Sequence, residues 1–341
     1  MEIAQQTEMA VMTRRAALAL PLPAFAQGSV QGSVQGSAPS PLSSWAPTRP
    51  LRLIVPFPPG GTTDTLARMT AERLAAILGQ AVLVDNRPGA AGAVAADMAS
   101  KTEADGHSLF FASIGTAATN QFLYPALAHP GDALAEVAGL FALPNVATVG
   151  SAAPWRSLPE FIAAARAAPG ALTYGSSGAG SSLHLTGAML AHRAGIDILH
   201  IPYRGGGQML NELVAGRISI AFGNISTGIG LVRDGLLRPL ASTGATRAAA
   251  LPDVPTFAET LPGFTATVWY GLQVPRGTPG AVVERLNQAS NALLAEPAVQ
   301  ARLAGIGVSA MGGTAAEFTR FIAAETAQWR AVIRDAGITA E

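Results

Sequence analysis

Two loops rich in glycine and hydroxyl side chains carry the clearest chemistry in the sequence. One covers residues 56–64 (PFPPGGTTD) and the other covers residues 174–182 (YGSSGAGSS). Each loop follows an apolar run and precedes a helical pattern, so it leaves unpaired N–H groups at the positive end of a helix dipole. Such a loop can bind an anion, and its glycines let a ligand approach the backbone closely. Ordinary helix capping is the alternative that the residues themselves leave open.

A third polar segment, residues 112–120 (ASIGTAATN), follows another apolar run. Open α/β sheets usually bind their ligands at the carboxyl ends of the strands, where this segment is expected to lie. Two anion-binding loops in a chain with few charged residues favour a small carboxylate that is held mainly by backbone donors.

Other reactive side chains are sparse. The chain has five histidines, none of them three or four residues from another, and no cysteine, so no metal site is expected. It has no G-x-S-x-G motif, and its single lysine excludes the phosphate loop that ends in Lys and Ser or Thr. The serines of residues 175–182 lack a convincing base, since His184 follows them too closely. The sequence therefore predicts neither an enzyme nor a cofactor.

The composition excludes further classes of protein. Arg plus Lys and Asp plus Glu both total 22, which gives zero net charge, and charged residues make up 13% of the 341 residues. Nucleic-acid binding is not expected, because phosphate neutralisation needs a basic surface. Stable membrane insertion is not expected either, because no stretch of about 20 apolar residues occurs.

The first 48 residues resemble a targeting segment followed by a spacer. Arg14 and Arg15 precede a short apolar region at residues 16–25, and residues 24–26 (AFA) match a signal cleavage site. The paired arginines suggest a twin-arginine-like signal. Residues 28–37 repeat Gly-Ser-Val-Gln and continue into a proline-containing stretch, a composition typical of a disordered linker. We expect export to the periplasm; the alternative is a disordered extension, with Met12 as the true start of the chain.

From residue 49 onward, strand and helix patterns alternate. Strands are predicted at residues 51–57, 81–84, 108–112, 172–174, 199–201, 218–222 and 239–242, with helices between them. Two helix starts carry a capping-box pattern, Ser157 with Glu160 and Thr314 with Glu317. Alternation of this kind predicts an α/β protein with two parallel sheets covered by helices.

Several stretches together resemble one family. Residues 54–92 (IVPFPPGGTTDTLARMTAERLAAILGQAVLVDNRPGAAG) closely resemble the extracytoplasmic solute receptors of tripartite tricarboxylate transporters, the Bug family. The stretches ADGHSLFFASIGTAATN, LTYGSSGAGSSLHL, HIPYRGGGQMLNELVAGRISIAFGN and WYGLQVPRGTP follow in family order. The resemblance covers about residues 49–338.

The resemblance implies a type II periplasmic-binding-protein fold. Two α/β lobes would be joined by two crossover strands, with a ligand cleft between them. Residues 49–150 plus 270–341 would form the first lobe, with a C-terminal helix over residues 317–336 that packs across. Residues 151–269 would form the second lobe.

The same resemblance implies a set of ligand-binding residues. The first lobe would contribute Phe57, Pro58, Gly60, Gly61, Thr62, Asp64, Ser113, Thr116 and Asn120. The second lobe would contribute Ser177, Gly178, Gly180, Ser181, His184, Tyr203, Arg204, Gly205, Gly206 and Asn224. Arg204 stands where the family usually has lysine, and its guanidinium could bind a carboxylate through two hydrogen bonds.

The implied function is capture of a small organic carboxylate and its delivery to membrane permease subunits. Gly223 stands where many members have an acidic residue, which argues against an amino-acid ligand. Two other functions stay open: a periplasmic sensor that acts through a signalling partner, and an enzyme that uses the cleft.

Overall fold

A computed structural model of the chain describes residues 45–124 and 133–339. The predicted signal-like segment lies outside these residues. Of the predicted spacer, the structure describes only residues 45–48, where the Trp45 ring meets His107 edge-on at 5.9 Å.

Within the described residues, strands and helices alternate as the sequence predicts. The strands are β1 Leu51–Val55, β2 Val82–Asn86, β3 Ser108–Ser113, β4 Leu134–Gly150, β5 Leu172–Ser176, β6 Ile198–Pro202, β7 Ile220–Asn224, β8 Leu237–Ser242, β9 Thr267–Pro275 and β10 Ser309–Ala310. The helices are α1 Thr62–Leu78, α2 Ala93–Ser100, α3 Asn120–Leu123, α4 Leu158–Ala167, α5 Ser182–Ala194, α6 Gly206–Val214, α7 Ile225–Arg233, α8 Gly280–Ala295, α9 Pro297–Gly305 and α10 Ala315–Asp335.

Local sequence explains where several helices begin and end. Helix α1 ends at Gly79, whose φ of 73° is the left-handed conformation that glycine adopts most readily. Helix α10 begins with a complete capping box: Thr314 Oγ1 accepts from Glu317 N, and Glu317 Oε2 accepts from Thr314 N. At α4, Ser157 accepts from Glu160 N, but the Glu160 carboxylate accepts from Arg156 N instead of Ser157 N. The predicted capping box is therefore complete at α10 and half-formed at α4.

The strands form two sheets that share β4. The first sheet has the order β2-β1-β3-β9-β4, with β1 parallel to both β2 and β3 and with β9 antiparallel to β3 and β4. The second has the order β4-β7-β5-β6, with β5 parallel to β6 and β7, and β8 pairs with β4. The amino-terminal part of β4, up to Pro144, pairs with β9, and the part from Asn145 onward pairs with β7. The chain passes into the second lobe along β4 and returns at β9, which confirms the predicted two-lobe fold.

Helix α10 packs on the strands where the lobes join. Gly139 of β4 and Gly271 of β9 are direct register partners. A Cβ at Gly271 would lie 2.1 Å from Phe318 Cζ, and one at Gly139 would lie 3.1 Å from Phe318 Cδ2, so both glycines make room for this ring. Trp269 is fully buried, meets Phe318 edge-on at 5.6 Å and donates from Nε1 to Glu325 of α10 at 3.0 Å. The C-terminal helix is thus fixed to the strands that connect the lobes, while the residue boundaries of the lobes stay a prediction.

Candidate functional site

A cavity of about 390 Å³ lies between the two lobes. It opens at the carboxyl ends of β1 and β3 in the first lobe and of β5, β6 and β7 in the second. The amino-terminal ends of four helices, α1, α5, α6 and α7, contribute residues to its lining. This position at the ends of parallel strands is where open α/β sheets bind ligands.

The loop between β1 and α1 forms one wall. Gly61, Thr62 and Thr63 line the cavity, and their backbone N–H groups have no hydrogen-bond partner among the described residues. Gly60 has a φ of 88°, a left-handed conformation that makes glycine the favoured residue at this turn. The wall therefore presents unpaired donors at the positive end of the α1 dipole, which suits an anion.

Asp64 holds this loop in place from behind. Its carboxylate accepts from Gly60 N, Arg68 Nε and Asn86 Nδ2, each at 3.0 Å, and it is 4% exposed. Burial raises the pKa of Asp64, but the hydrogen bonds from Arg68, Gly60 and Asn86 outweigh it, so the pKa lies below its usual value. Asp64 does not line the cavity, and the structure makes it a support of the loop.

The loop between β5 and α5 forms the opposite wall. Ser177, Ser181, Ser182 and Leu183 line the cavity. The Ser181 side chain caps α5 by accepting from His184 N at 3.3 Å, and it donates to Gly178 O at 2.7 Å. The N–H groups of Ser182 and Leu183 have no hydrogen-bond partner among the described residues, so this wall also presents backbone donors.

The segment that begins α6 carries the cavity's charge. Among the described residues that line the cavity, Arg204 is the one charged side chain, and no aspartate or glutamate is among them. Gly205, Gly206, Gly207 and Gln208 line the cavity beside it. The electrostatics of the lining thus favour a negatively charged occupant.

Tyr270 on β9 joins the two lobes at the cavity. Its hydroxyl accepts from Asn224 Nδ2 of the second lobe at 3.0 Å and from Thr63 Oγ1 of the first lobe at 3.3 Å. Burial raises the pKa of Tyr270, with the hydrogen bonds from Thr63 and Asn224 acting in the opposite direction. Asn224 Oδ1 is buried and has no hydrogen-bond partner among the described residues, which leaves an acceptor beside the cavity.

Other hydroxyls also connect the lobes. Thr62 Oγ1 at the start of α1 forms hydrogen bonds with Ser226 Oγ, at 2.8 Å, and with Thr227 Oγ1, both at the start of α7. Tyr124 OH, which follows α3, donates to Ala179 O in the loop before α5 at 2.8 Å. The first and second lobes therefore contact each other around the cavity through polar groups.

Twelve of the predicted binding residues line this cavity. They are Phe57, Pro58, Gly60, Gly61, Thr62, Ser113, Ser177, Ser181, Arg204, Gly205, Gly206 and Asn224.

The other seven predicted residues lie outside the lining, and their roles in binding stay predictions. They are Asp64, Thr116, Asn120, Gly178, Gly180, His184 and Tyr203. Several of them are hydrogen bonded to a neighbouring lining residue: Thr116 Oγ1 accepts from Ser113 N at 3.0 Å, and Gly178 O accepts from Ser181 Oγ at 2.7 Å.

Sequence reasoning missed several polar residues that line the cavity. They are Thr63, Ser182, Gln208, Thr227 and Tyr270. Thr63, Ser182 and Gln208 adjoin predicted positions, so extending each predicted loop by a few residues would have found them. Tyr270 lies in the stretch WYGLQVPRGTP, which carried the family resemblance but had no role assigned to it.

Two further features of the structure concern metal binding and membrane insertion. Within residues 45–124 and 133–339, no three His, Asp or Glu side chains are grouped so that they could hold a metal ion. In the same part of the chain, no helix combines the length and apolar character needed to cross a bilayer.

Comparison with known proteins agrees with this geometry. Residues 66–338 match the family described as the tripartite tricarboxylate transporter family receptor. A protein encoded between tcbD and tcbE in Pseudomonas sp. strain P51 is 37% identical over 290 residues, which cover 84% of this chain and 86% of that protein. BugT of Bordetella pertussis is 34% identical over 294 residues, which cover 85% of this chain and 90% of BugT.

Two solved structures have the same fold and were determined with small acids. One is an R. palustris protein with adipate, with a TM-score of 0.83 and 36% identity over 86% of this chain and 99% of that one. The other is MatC from Rhodopseudomonas palustris with bound malate, with a TM-score of 0.80 and 30% identity over 84% of this chain and 99% of that one. These matches confirm the resemblance that the sequence motifs indicated. The chain belongs to the receptor family of the tripartite tricarboxylate transporters.

Proposed function

We propose that this receptor binds a small organic carboxylate in the cavity between its lobes, without transforming it, and delivers it to membrane permease subunits. The acid would enter while the lobes are apart, and contacts to both lobes would stabilise the closed arrangement. The residues that line the cavity, with Gly61, Thr62, Ser181 and Arg204 foremost, would form the binding site.

One observation carries this proposal. Unpaired backbone donors at the starts of α1 and α5 meet around a cavity whose described lining includes Arg204 and no acidic side chain. Donors at helix starts and a guanidinium both stabilise a carboxylate, and both would leave an ammonium group without a partner. Gly223, which lines the cavity, agrees with this preference because it offers no carboxylate to an amino group.

The position of Arg204 favours a ligand with two carboxylates, one at each end. It lies on the second lobe, whereas the unpaired N–H groups of Gly61 and Thr62 belong to the first. A dicarboxylate could bind the backbone donors with one end and the guanidinium with the other. The two neighbouring structures that were determined with adipate and with malate add support, since both acids carry two carboxylates.

Isothermal titration with matched acids tests the proposal. Adipate and hexanoate share a six-carbon chain and differ in the second carboxylate; malate, citrate and glutamate complete the panel. We expect at least one acid without an amino group to bind, glutamate to bind more weakly, and the bound acid to be recovered unchanged. Failure of every acid to bind at pH 7, or conversion of the acid by the protein, would contradict the proposal.

The variant Arg204→Gln tests whether Arg204 binds the second carboxylate of the ligand. A charge-assisted hydrogen bond contributes about 1.5–3 kcal/mol, so its loss should lower adipate affinity roughly tenfold or more. Hexanoate affinity should change little, because that acid has no second carboxylate. Equal losses for both acids would place Arg204 outside the subsite for a second carboxylate.

Export and the permease partner belong to the same proposal. The family description supports a receptor that serves a transporter, and the signal-like pattern at residues 14–26 supports release into the periplasm. Mass spectrometry of the mature amino terminus, taken from a periplasmic fraction, tests export. Cross-linking of the acid-loaded receptor to membranes that contain the permease tests delivery.

A further inference from the structure

Two stacked imidazoles lie directly behind the loop between β5 and α5. The rings of His184 on α5 and His200 on β6 are 4.1 Å apart between centroids and inclined by 21°. Tyr174 on β5 stacks on His200 at 4.9 Å, and all three rings lie on the side of the loop away from the cavity between the lobes. His184 is 5% exposed.

Both imidazoles are hydrogen bonded to this loop. Gly180 N donates to His184 Nδ1 at 3.1 Å, and His200 Nε2 is hydrogen bonded to Ser176 Oγ at 2.7 Å. Ser176 Oγ in turn bonds both N and O of Gly178, each at 3.1 Å. The segment 176–180 carries Ser177 into the cavity and precedes Ser181, so the two rings hold the wall that those serines form.

The contact with Gly180 exists only while His184 is neutral. The backbone N–H is a donor, so Nδ1 must be unprotonated and the ring proton must reside on Nε2. A proton on Nδ1 would place two donors against each other, and Gly180 N would lose its partner. A second charge on His200, at ring-stacking distance, would add like-charge repulsion.

The surroundings of His184 and His200 let protons reach the rings but do not stabilise a positive charge on them. A second cavity of about 380 Å³ adjoins the rings, and residues 336–339 form part of its lining. Of the described residues that line it, the titratable ones are Tyr174, His184, His192 and His200, and no carboxylate is among them. Burial lowers the pKa of His184 to about 4. Burial and the neighbouring His184 lower the pKa of His200 to about 3.

We infer that His184, stacked on His200, is a positioning residue that keeps the loop 176–181 in its ligand-binding conformation while it is neutral and releases the loop, and with it the bound carboxylate, when it is protonated. The release of the carboxylate rests on the proposed function; the hold on the loop does not. A receptor built in this way binds its acid at neutral pH and loses it in strongly acidic surroundings.

Nuclear magnetic resonance of the ligand-free protein tests the hold on the loop. The backbone resonance of Gly180 is followed from pH 7 to pH 3.5 in the wild type and in His184→Asn, whose Oδ1 can accept from Gly180 N but does not titrate. We expect the wild-type resonance to shift with the protonation of His184 and the variant resonance to stay in place. The same pH profile in both proteins, or no shift in the wild type, would overturn the inference.

Adipate affinity tests the consequence for binding. At pH 7, His184→Leu removes the acceptor and should bind adipate at least tenfold more weakly, whereas His184→Asn should bind like the wild type. As the pH falls below the pKa of His184, wild-type affinity should decline relative to His184→Asn, by up to about tenfold per pH unit for one linked proton. Protonation of adipate affects both proteins equally, so it cancels in the ratio of wild-type affinity to His184→Asn affinity. Thermal unfolding of each variant confirms that it is folded.

The outcomes separate the two proposals. If His184→Leu binds adipate as tightly as the wild type, or if the wild type and His184→Asn lose affinity in parallel, the positioning role is wrong while the proposed function stands. If no acid of the panel binds at pH 7, the proposed function fails and the release step fails with it. The Gly180 resonance still decides in that case whether His184 holds the loop.

Discussion

Gly61 brings together the two properties that make a backbone donor useful for binding. Its N–H has no partner among the described residues, and no atom lies within 4 Å of the position that a Cβ would occupy. Its φ of −89° is accessible to any residue. A Cβ at this position, in the lining of the cavity, therefore fits without forcing the backbone to change.

The substitution Gly61→Val should consequently weaken binding without unfolding the protein. The valine methyl groups would stand between the ligand and the donors at the start of α1, and loss of one charge-assisted hydrogen bond corresponds to roughly a tenfold or greater fall in affinity. Titration with adipate measures this loss. Gly230→Val is the matched control, since Gly230 is exposed on α7, has no atom within 4 Å of its Cβ position and does not line the cavity. Unchanged affinity in a folded Gly61→Val variant would contradict a backbone-donor site.

Residue types alone indicated which loops matter but not which way each side chain points. Asp64 and His184 were both expected to bind the ligand, and both lie behind the loops that line the cavity. The direction of each side chain depends on a partner that is distant in sequence: Asn86 donates to Asp64, and His200 stacks on His184. Each loop motif contains only one residue of such a pair, because the other residue lies elsewhere in the chain. The spacing within the motif therefore cannot show whether a polar side chain supports the loop or contacts the ligand.

At the scale of elements, the loop before α1 depends on the carboxylate at the first turn of that helix. Asp64→Ala removes acceptors from Gly60 N, Arg68 and Asn86 at once. We expect the free energy of unfolding to fall by about 1–3 kcal/mol, the usual cost of leaving a buried donor unsatisfied. Adipate affinity should fall as well, because Gly60 would no longer fix the donors that follow it.

The variant Asp105→Ala separates these two effects. Asp105 also accepts from an arginine, Arg49, and from a backbone N–H, that of His107, but it does not line the cavity. Thermal melts should show destabilisation of both variants, while titration should show weaker binding by Asp64→Ala alone. Equal affinities for the two variants would mean that Asp64 stabilises the fold without shaping the site.

The strands show how far local pattern predicts elements. Every strand predicted from an apolar run overlaps one in the structure, because runs such as β1 are buried on both faces and end in turn residues. The long strand β4 was not identified, since its 17 residues include Pro144 and bend from one sheet into the other. Strands β9 and β10 were not identified either. The three missed strands are held by pairing with partners far away in sequence, which local periodicity does not contain.

At the scale of the whole molecule, the approach of the lobes depends on a few hydroxyls outside the cavity lining. Ser226 Oγ bonds Thr62 Oγ1, and Tyr124 OH donates to Ala179 O, each at 2.8 Å and each between lobes. Neither Ser226 nor Tyr124 lines the cavity. These two contacts can therefore be removed without altering the surface that faces the ligand.

We expect the double variant Ser226→Ala with Tyr124→Phe to favour the open arrangement. Two hydrogen bonds contribute about 1 kcal/mol each, so their loss should shift the closed-to-open ratio by roughly tenfold to thirtyfold. Small-angle scattering should show a larger radius of gyration in the ligand-free variant, and saturating adipate should restore the wild-type value. Adipate affinity should fall by up to the same factor, because part of the binding free energy is then used to close the lobes. Ser219→Ala is the control, since Ser219 Oγ accepts from Thr173 N inside the second lobe. If the double variant matches the wild type in both size and affinity, closure depends on the ligand and the connecting strands instead of these hydroxyls.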